Sequence, residues 1–291
     1  MLEFKTPDLK DIKALQKFLV KEPELSCETN FTNLIIWHKH YNTVYYYDEK
    51  TLIFRMFENE NFIFSIPYGD VVYGVSLIIE YCKEKNLKVK FWACEGERLN
   101  KFKSKFSDFD VSPERDSFEY IYSRDDLAFL KGKKYHSKRN HISNFSKNYN
   151  WEYEDLKKEN IPEIMYFADK WYQEATDETL ISERKALGLL LNNMDKLNVK
   201  GGMIRVDGRI VAFTLGTPIN SMIFDIHYEK ADKDFLTAYA VINREFALNE
   251  LGNYKYINRE DDLGIEGLRK AKLSYKPQML LQKYVITFKG E

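Results

Sequence analysis

The chain has 291 residues, 44% of them hydrophobic and 31% charged, with 44 basic side chains against 45 acidic ones. That composition excludes a disordered chain and allows a sizeable core. The near-zero net charge excludes a global attraction to polyanions, so any phosphate or nucleic-acid contact has to come from a local patch.

Read in chain order, Thr6 is expected to cap a first helix with Pro7 at its opening position. Leu9, Ile12, Leu15, Phe18 and Leu19 would form its apolar face. Strands are expected over 43–47, 51–57 and 61–66. A helix then buries Val75, Ile78, Ile79 and Cys82, and an apolar strand spans 88–94. The turn Glu95-Gly96-Glu97-Arg98 opens a basic helix, and a strand at 118–122 follows. The same order then returns. Asn160-Ile161-Pro162-Glu163 resembles a capping box. It opens a helix with Ile161, Ile164, Met165, Ala168, Trp171 and Tyr172 on one face. Strands are expected over 203–206, 210–215 and 222–228, and Asp207-Gly208 is a strong hairpin signal between the first two. A helix carrying Ala238, Val241, Ile242 and Phe246 leads to a strand at 254–257. An acidic turn, a basic helix between Gly264 and Pro277, and a strand over 279–288 close the chain. The repeated order predicts two tandem mixed α/β units, 1–125 and 126–291, with the site in the second.

Cys27, Cys82 and Cys94 are an odd number without Cys-x-x-Cys spacing. Neither a disulfide framework nor a cysteine zinc site is expected, and reduced thiols point to a cytoplasmic protein. The first residues have no apolar signal stretch, and no apolar run is long enough for a membrane span.

Three segments could carry chemistry. Residues 131–147 hold five lysines and one arginine, and no acid falls between Asp126 and Glu152. Lys138, Arg139, Asn140 and His141 are the core of this basic segment, which suits phosphates of a donor or of RNA, or an acidic lipid. A solvated basic helix is the alternative reading. The second segment is Asn258, Arg259, Glu260, Asp261 and Asp262, where a strand turns into a helix. Such corners are where α/β proteins place polar chemistry. It could bind an amine or orient a substrate, or it could be a structural corner with Arg259 paired locally. No histidine stands at metal spacing, so no metal is expected. The third is 225–232, where alternation puts Asp225, His227 and Glu229 on one face of a strand. A carboxylate beside an imidazole suits a general base, although a lone strand histidine is more often structural. No Gly-x-Ser-x-Gly elbow, Walker A loop or Gly-x-Gly-x-x-Gly fingerprint is present.

The residues Tyr135-His136-Ser137-Lys138-Arg139-Asn140-His141, Glu229-Lys230-Ala231-Asp232, 258–264 and Gly267-Leu268-Arg269-Lys270-Ala271-Lys272 resemble a bacterial family similar to the C-terminal domain of phosphatidylglycerol lysyltransferases. The resemblance covers nearly the whole chain and implies two tandem GNAT-like domains of the acyl-CoA N-acyltransferase fold, an arrangement shared with Fem-type aminoacyl transferases. It implies aminoacyl or acyl transfer onto an amine or hydroxyl, with an aminoacyl-tRNA or acyl-CoA as donor and a small molecule, lipid headgroup or peptide as acceptor. The basic segment would meet donor phosphates. His227, Asp261 and Asp262 would be catalytic, and Asp225, Glu229, Asn258, Arg259, Glu260 and Tyr275 would bind substrate. Residues 229–236, where the family of folds usually carries a glycine-rich pyrophosphate loop, contain three acids and no Gly-x-Gly. That departure speaks against ordinary acetyl-CoA binding and keeps open a non-catalytic ligand sensor.

Overall fold

The computed structural model describes residues 2–19, 25–58, 61–173 and 175–289. The chain forms two compact units. The first comprises Met1–Glu119, Asp261–Ile265 and Leu280–Glu291; the second comprises Tyr120–Glu260 and Glu266–Met279.

In the first unit, strands Val44–Tyr47, Thr51–Glu58 and Asn61–Ser65 form an antiparallel meander, and Asn61–Ser65 pairs in parallel with Lys90–Cys94. The crossover is the helix Val71–Lys85. The Asp70 side chain caps it by accepting the Tyr73 N–H, and Asn86 ends it in the left-handed conformation. Its Val71, Val75, Ile78 and Cys82 pack on Ile53, Phe64 and Phe91 of the sheet. Helix Glu97–Lys105 follows, and strand Phe109–Pro113 lies at the sheet edge.

The second unit repeats this plan. Strands Lys200–Val206, Arg209–Pro218 and Ile223–Ala231 form the meander. Helix Ala238–Asn249 crosses over, and Tyr256–Asn258 pairs in parallel with Ile223–Ala231. Helix Glu266–Ser274 follows. The Asp207-Gly208 turn has φ of 50° and 79°, the two positive angles that a tight hairpin turn needs. The core under this sheet includes Ile204, Val211, Ala212, Val241 and Ile242, joined by Tyr135 and by Ile142 and Phe145 from helix His136–Asn148, which Tyr135 precedes. A register shift between Leu215 and Gly216 bends the middle strand beside the candidate site. A Cβ at Gly216 would fall 2.0 Å from the Asp225 carbonyl oxygen, so only glycine fits that approach.

The closing strands differ from expectation. Glu119–Ser123, read as the end of the first half, pairs with Tyr256–Asn258 in the second sheet. Lys283–Phe288, read as the end of the second half, inserts antiparallel between Lys90–Cys94 and Phe109–Pro113 in the first. Each sheet is therefore completed by a strand from the other half of the sequence. The proposed boundary near residue 125 gives way to a division at 119–120 with segments 261–265 and 280–291 returned to the first unit.

Two local readings also change. Asp8, not Thr6, caps the opening turn, and the helix proper is Ile12–Leu19. The Asn160 side chain accepts the Lys157 N–H instead of capping helix Ile161–Trp171. Helices Phe31–Trp37 and Glu178–Asn192 occupy stretches for which no element was expected. No helix among the described residues is long and apolar enough to cross a membrane.

The first unit buries a charged cluster. The Lys283 ammonium donates to Glu28 and Glu119, at 2.8 Å each. Glu119 also accepts from the Ser26 hydroxyl (2.6 Å) and the Cys27 N–H (2.8 Å), and Glu28 accepts from the Trp92 indole (2.6 Å). Burial alone would pull the Lys283 ammonium down, but Glu119 and Glu28 more than offset it and hold it well above its ordinary value. Ligand atoms of Glu28, Cys94 and Glu119 come within 4.8 Å of one another. Lys283 already supplies the positive charge that a metal would bring there.

Candidate functional site

The site is built on strand Ile223–Ala231 of the second unit. Alternation sends Phe224, Ile226 and Tyr228 into buried positions on one side. Asp225, His227 and Glu229 share the other side, as the sequence predicts, and each meets a polar partner or neighbour there. His227 Nδ1 lies 3.1 Å from Glu260 Oε1 and 3.6 Å from Asp225 Oδ2. A carboxylate accepts, so Nδ1 donates to Glu260, and Nε2 is left to accept the Thr217 hydroxyl at 2.8 Å. With both nitrogens engaged and its side chain buried, His227 orients Glu260. Glu260 is the more accessible of the two, its side chain 24% exposed. It is also held in the left-handed region (φ 54°), unusual for a non-glycine residue. The buried Asn258 side chain fixes that turn by accepting the Glu260 N–H at 2.7 Å. Strain of this kind concentrates at functional positions.

One step along, Glu229 accepts from Arg259 Nη2 at 2.6 Å and from Asn243 at 2.9 Å. Arg259 Nη1 is buried and has no hydrogen-bond partner among the described residues. The Arg259 guanidinium lies 4.8 Å from the Tyr275 ring centre, and the Lys138 ammonium lies 3.7 Å from the same ring. Burial first, and then the Arg259 charge, pull the Lys138 ammonium down to about 8, with Glu229 opposing. Burial would also lower Arg259, but Glu229 together with Tyr122 and Tyr275 offsets it and leaves the guanidinium raised. Tyr275 is raised mainly by burial. Lys272 donates to the Arg259 carbonyl (2.5 Å) and Tyr135 to the Tyr275 carbonyl (3.2 Å), which fixes the backbone of both residues. Two cations thus face one carboxylate around an aromatic ring, with a buried guanidinium N–H still to be satisfied. Such an arrangement can accept an anionic oxygen.

Lys138, Asp225, His227, Glu229, Asn258, Arg259, Glu260 and Tyr275 are therefore brought together. The other basic-segment residues are not part of the cluster. Arg139 bonds the Leu130 and Gly132 carbonyls and closes the loop before its own helix. Asn140 bonds His136 on the exposed side, and His141 is exposed. The two aspartates after Glu260 belong to the first unit. Asp261 is half-buried there. Asp262 is buried, pairs with Arg115 at 3.2 Å and accepts the Gly264 N–H at 3.0 Å. Those bonds brace the corner. Sequence reasoning missed Thr217, Asn243 and Lys272. Asn243 had a signal, a polar residue next to Val241 and Ile242 on a buried helix; Lys272 stood in the segment that carries the resemblance but was given no role of its own, and Thr217 had no signal.

Residues 22–287 match the family described as "Phosphatidylglycerol lysyltransferase, C-terminal". A Mycoplasmoides gallisepticum protein is 23% identical over 198 residues, which cover 66% of this chain and 62% of that relative. The match thus spans less than two thirds of the relative's length. A solved structure of a conserved protein from Bacteroides thetaiotaomicron is 37% identical, with a TM-score of 0.92 over 99% of this chain and 100% of that one. The structure of L-PGS from Bacillus licheniformis gives 0.68 at 16% identity, over 99% and 94% of the two chains. FemX gives 0.57 at 10% identity, over 98% and 97%. The expected fold of two tandem GNAT-like α/β units is the fold found.

Proposed function

The chain belongs to the phosphatidylglycerol lysyltransferase C-terminal family, and from that premise we propose that it moves an aminoacyl or acyl group onto an amine or hydroxyl acceptor. The observation that supports this most is the buried Nη1 of Arg259, without a hydrogen-bond partner among the described residues, with the Lys138 ammonium against the same Tyr275 ring. Together they suit a phosphate oxygen of the donor. Glu229, itself held by Asn243, keeps the guanidinium in place. Glu260, oriented by His227, takes the proton of the acceptor as its nitrogen or oxygen attacks the donor carbonyl. The ester C–O bond breaks, and the proton held by Glu260 passes to the leaving oxygen, which departs as the donor hydroxyl and restores the carboxylate. The donor is already activated, so most of the acceleration comes from positioning.

Aminoacyl-tRNA suits the site better than acyl-CoA. In the stretch where a glycine-rich loop would cradle pyrophosphate, the Asp232 carboxylate accepts the Asp234 N–H at 3.0 Å and pairs with Arg209. The protein's own acid thus takes the place of an incoming anion. The acceptor drawn from the family is phosphatidylglycerol or another hydroxyl- or amine-bearing lipid headgroup, with a peptide as the second class.

The test is a transfer assay with labelled aminoacyl-tRNAs and acyl-CoAs against phosphatidylglycerol, small amines and peptides. Product from an aminoacyl-tRNA, reduced about 100-fold or more in Arg259→Leu, is the expected result. No product from any donor, together with ligand-induced melting shifts, would replace this reading with that of a sensor.

A further inference from the structure

A patch elsewhere on the second unit combines exposed apolar side chains with cations. Phe129 is 45% exposed, Met222 49% and Leu248 40%. Arg124 ties them into one surface. Its backbone N–H donates to the Lys255 carbonyl (3.0 Å), and the Lys255 N–H donates to the Met222 carbonyl (2.9 Å). Its guanidinium donates to the carbonyls of Ala247 (2.9 Å) and Leu248 (3.2 Å) and lies 5.6 Å from the Phe129 ring centre. The Lys131 ammonium lies 5.0 Å from that ring. Asp125 and Asp126 are taken up by Arg124 and Lys134. Lys131, Lys133 and Lys255 are exposed and have no ion pair among the described residues.

We propose that this patch docks the protein on an anionic lipid bilayer. The apolar side chains suit the boundary between headgroups and acyl chains, and lysine stems can lie along that boundary with their charges at the phosphates. The unpaired lysines are attracted to negative surface charge. A protein partner fits less well, because lysine is depleted at the centres of protein interfaces. RNA also fits less well. The Phe129 ring already carries two cations, so it offers a poor platform for a stacked base. Residues 131–134 run directly into the helix that presents Lys138, so docking would bring a membrane next to the element that serves the proposed site. This docking needs no donor and no chemistry. The link to a lipid acceptor is the one part that rests on the proposed transfer.

Flotation with vesicles of phosphatidylcholine alone, and of phosphatidylcholine mixed with phosphatidylglycerol, tests the inference. The protein is expected to bind the mixed vesicles, more weakly as salt rises, and to leave the neutral ones. The pair Lys131→Glu with Lys255→Glu should weaken binding ~10-fold or more. Phe129→Ser with Met222→Ser should weaken it by about 10-fold. Both pairs lie on the surface, so unchanged melting temperatures certify the fold. Arg259→Leu should bind vesicles as the unaltered protein does, even where transfer is lost. Vesicle binding unchanged in both patch variants, or equal on neutral vesicles, overturns the proposal. So does a loss of tRNA binding in those variants with vesicle binding intact. No vesicle binding beside normal transfer to a soluble acceptor overturns docking and leaves the transferase reading standing.

Discussion

Glu260→Gln is expected to lower the rate of the proposed transfer by about 10²–10⁴-fold, the usual contribution of a positioned general base. That is roughly 3–5 kcal/mol of transition-state stabilisation. Glutamine keeps the size of the side chain and an oxygen that can accept from His227 Nδ1, now 3.1 Å from Glu260. The amide cannot take a proton from the acceptor. Single-turnover rates with saturating donor separate this loss from weakened binding, which should change little. His227→Asn should fall between Glu260→Gln and the unaltered protein. It removes the group that holds the carboxylate in place and leaves the carboxylate itself. If Glu260→Gln transfers at nearly the normal rate, another group takes the proton.

Lys283→Met destabilises the first unit by about 3–5 kcal/mol, the cost of leaving buried carboxylates uncompensated. For a domain of this size the melting temperature drops by about 6–20 °C. Glu119 is fully buried and would lose its closest cation, while Ser26 and Cys27 would still donate to it. Adding Glu119→Gln to Lys283→Met should restore part of the loss, since a neutral amide in that position needs no counter-charge. The sign of the pH dependence follows from the raised ammonium. Its contribution is fully present below the unfolded lysine value and is lost only as pH rises through the higher folded value. The stability gap between Lys283→Met and the unaltered protein should therefore stay flat through neutral and mildly alkaline pH. A variant as stable as the unaltered protein would mean that the cluster contributes no net stability.

Much of this architecture was legible, because it rests on local pattern. Two positive φ angles at Asp207-Gly208 are what an aspartate-glycine hairpin requires. A period of two put Asp225, His227 and Glu229 on one face. Partner choice among strands was not legible. Lys283–Phe288 alternates equally well beside either sheet, and long-range pairing decides where it goes. Helix Glu178–Asn192 was missed because its buried residues, Ala186, Leu187, Leu190 and Leu191, cluster at its end. The basic segment held more information than its charge. Tyr135, Lys138, Ile142 and Phe145 fall on one helical stripe, and three of them are buried apolar residues. Lys138 is the cation on that stripe, and it is the one at the site. Arg139, Asn140 and His141 are turned away by the same period. Strain at Glu260 and the lack of a partner for Arg259 Nη1 among the described residues are properties of the folded backbone and its burial, which no spacing encodes.

The most direct measurement is the affinity for an aminoacyl-tRNA with a stable amide link, taken at fixed salt from well below to well above pH 8. Burial and Arg259 have lowered the Lys138 ammonium to about 8, so it is charged below that value and neutral above it. Affinity should fall as pH rises through this point. In Lys138→Arg, where the charge persists, affinity should stay level, and in Arg259→Leu it should be weak throughout. A flat profile in the unaltered protein, with both variants binding equally well, would contradict an anion site at Lys138 and Arg259 and the transfer chemistry built on it.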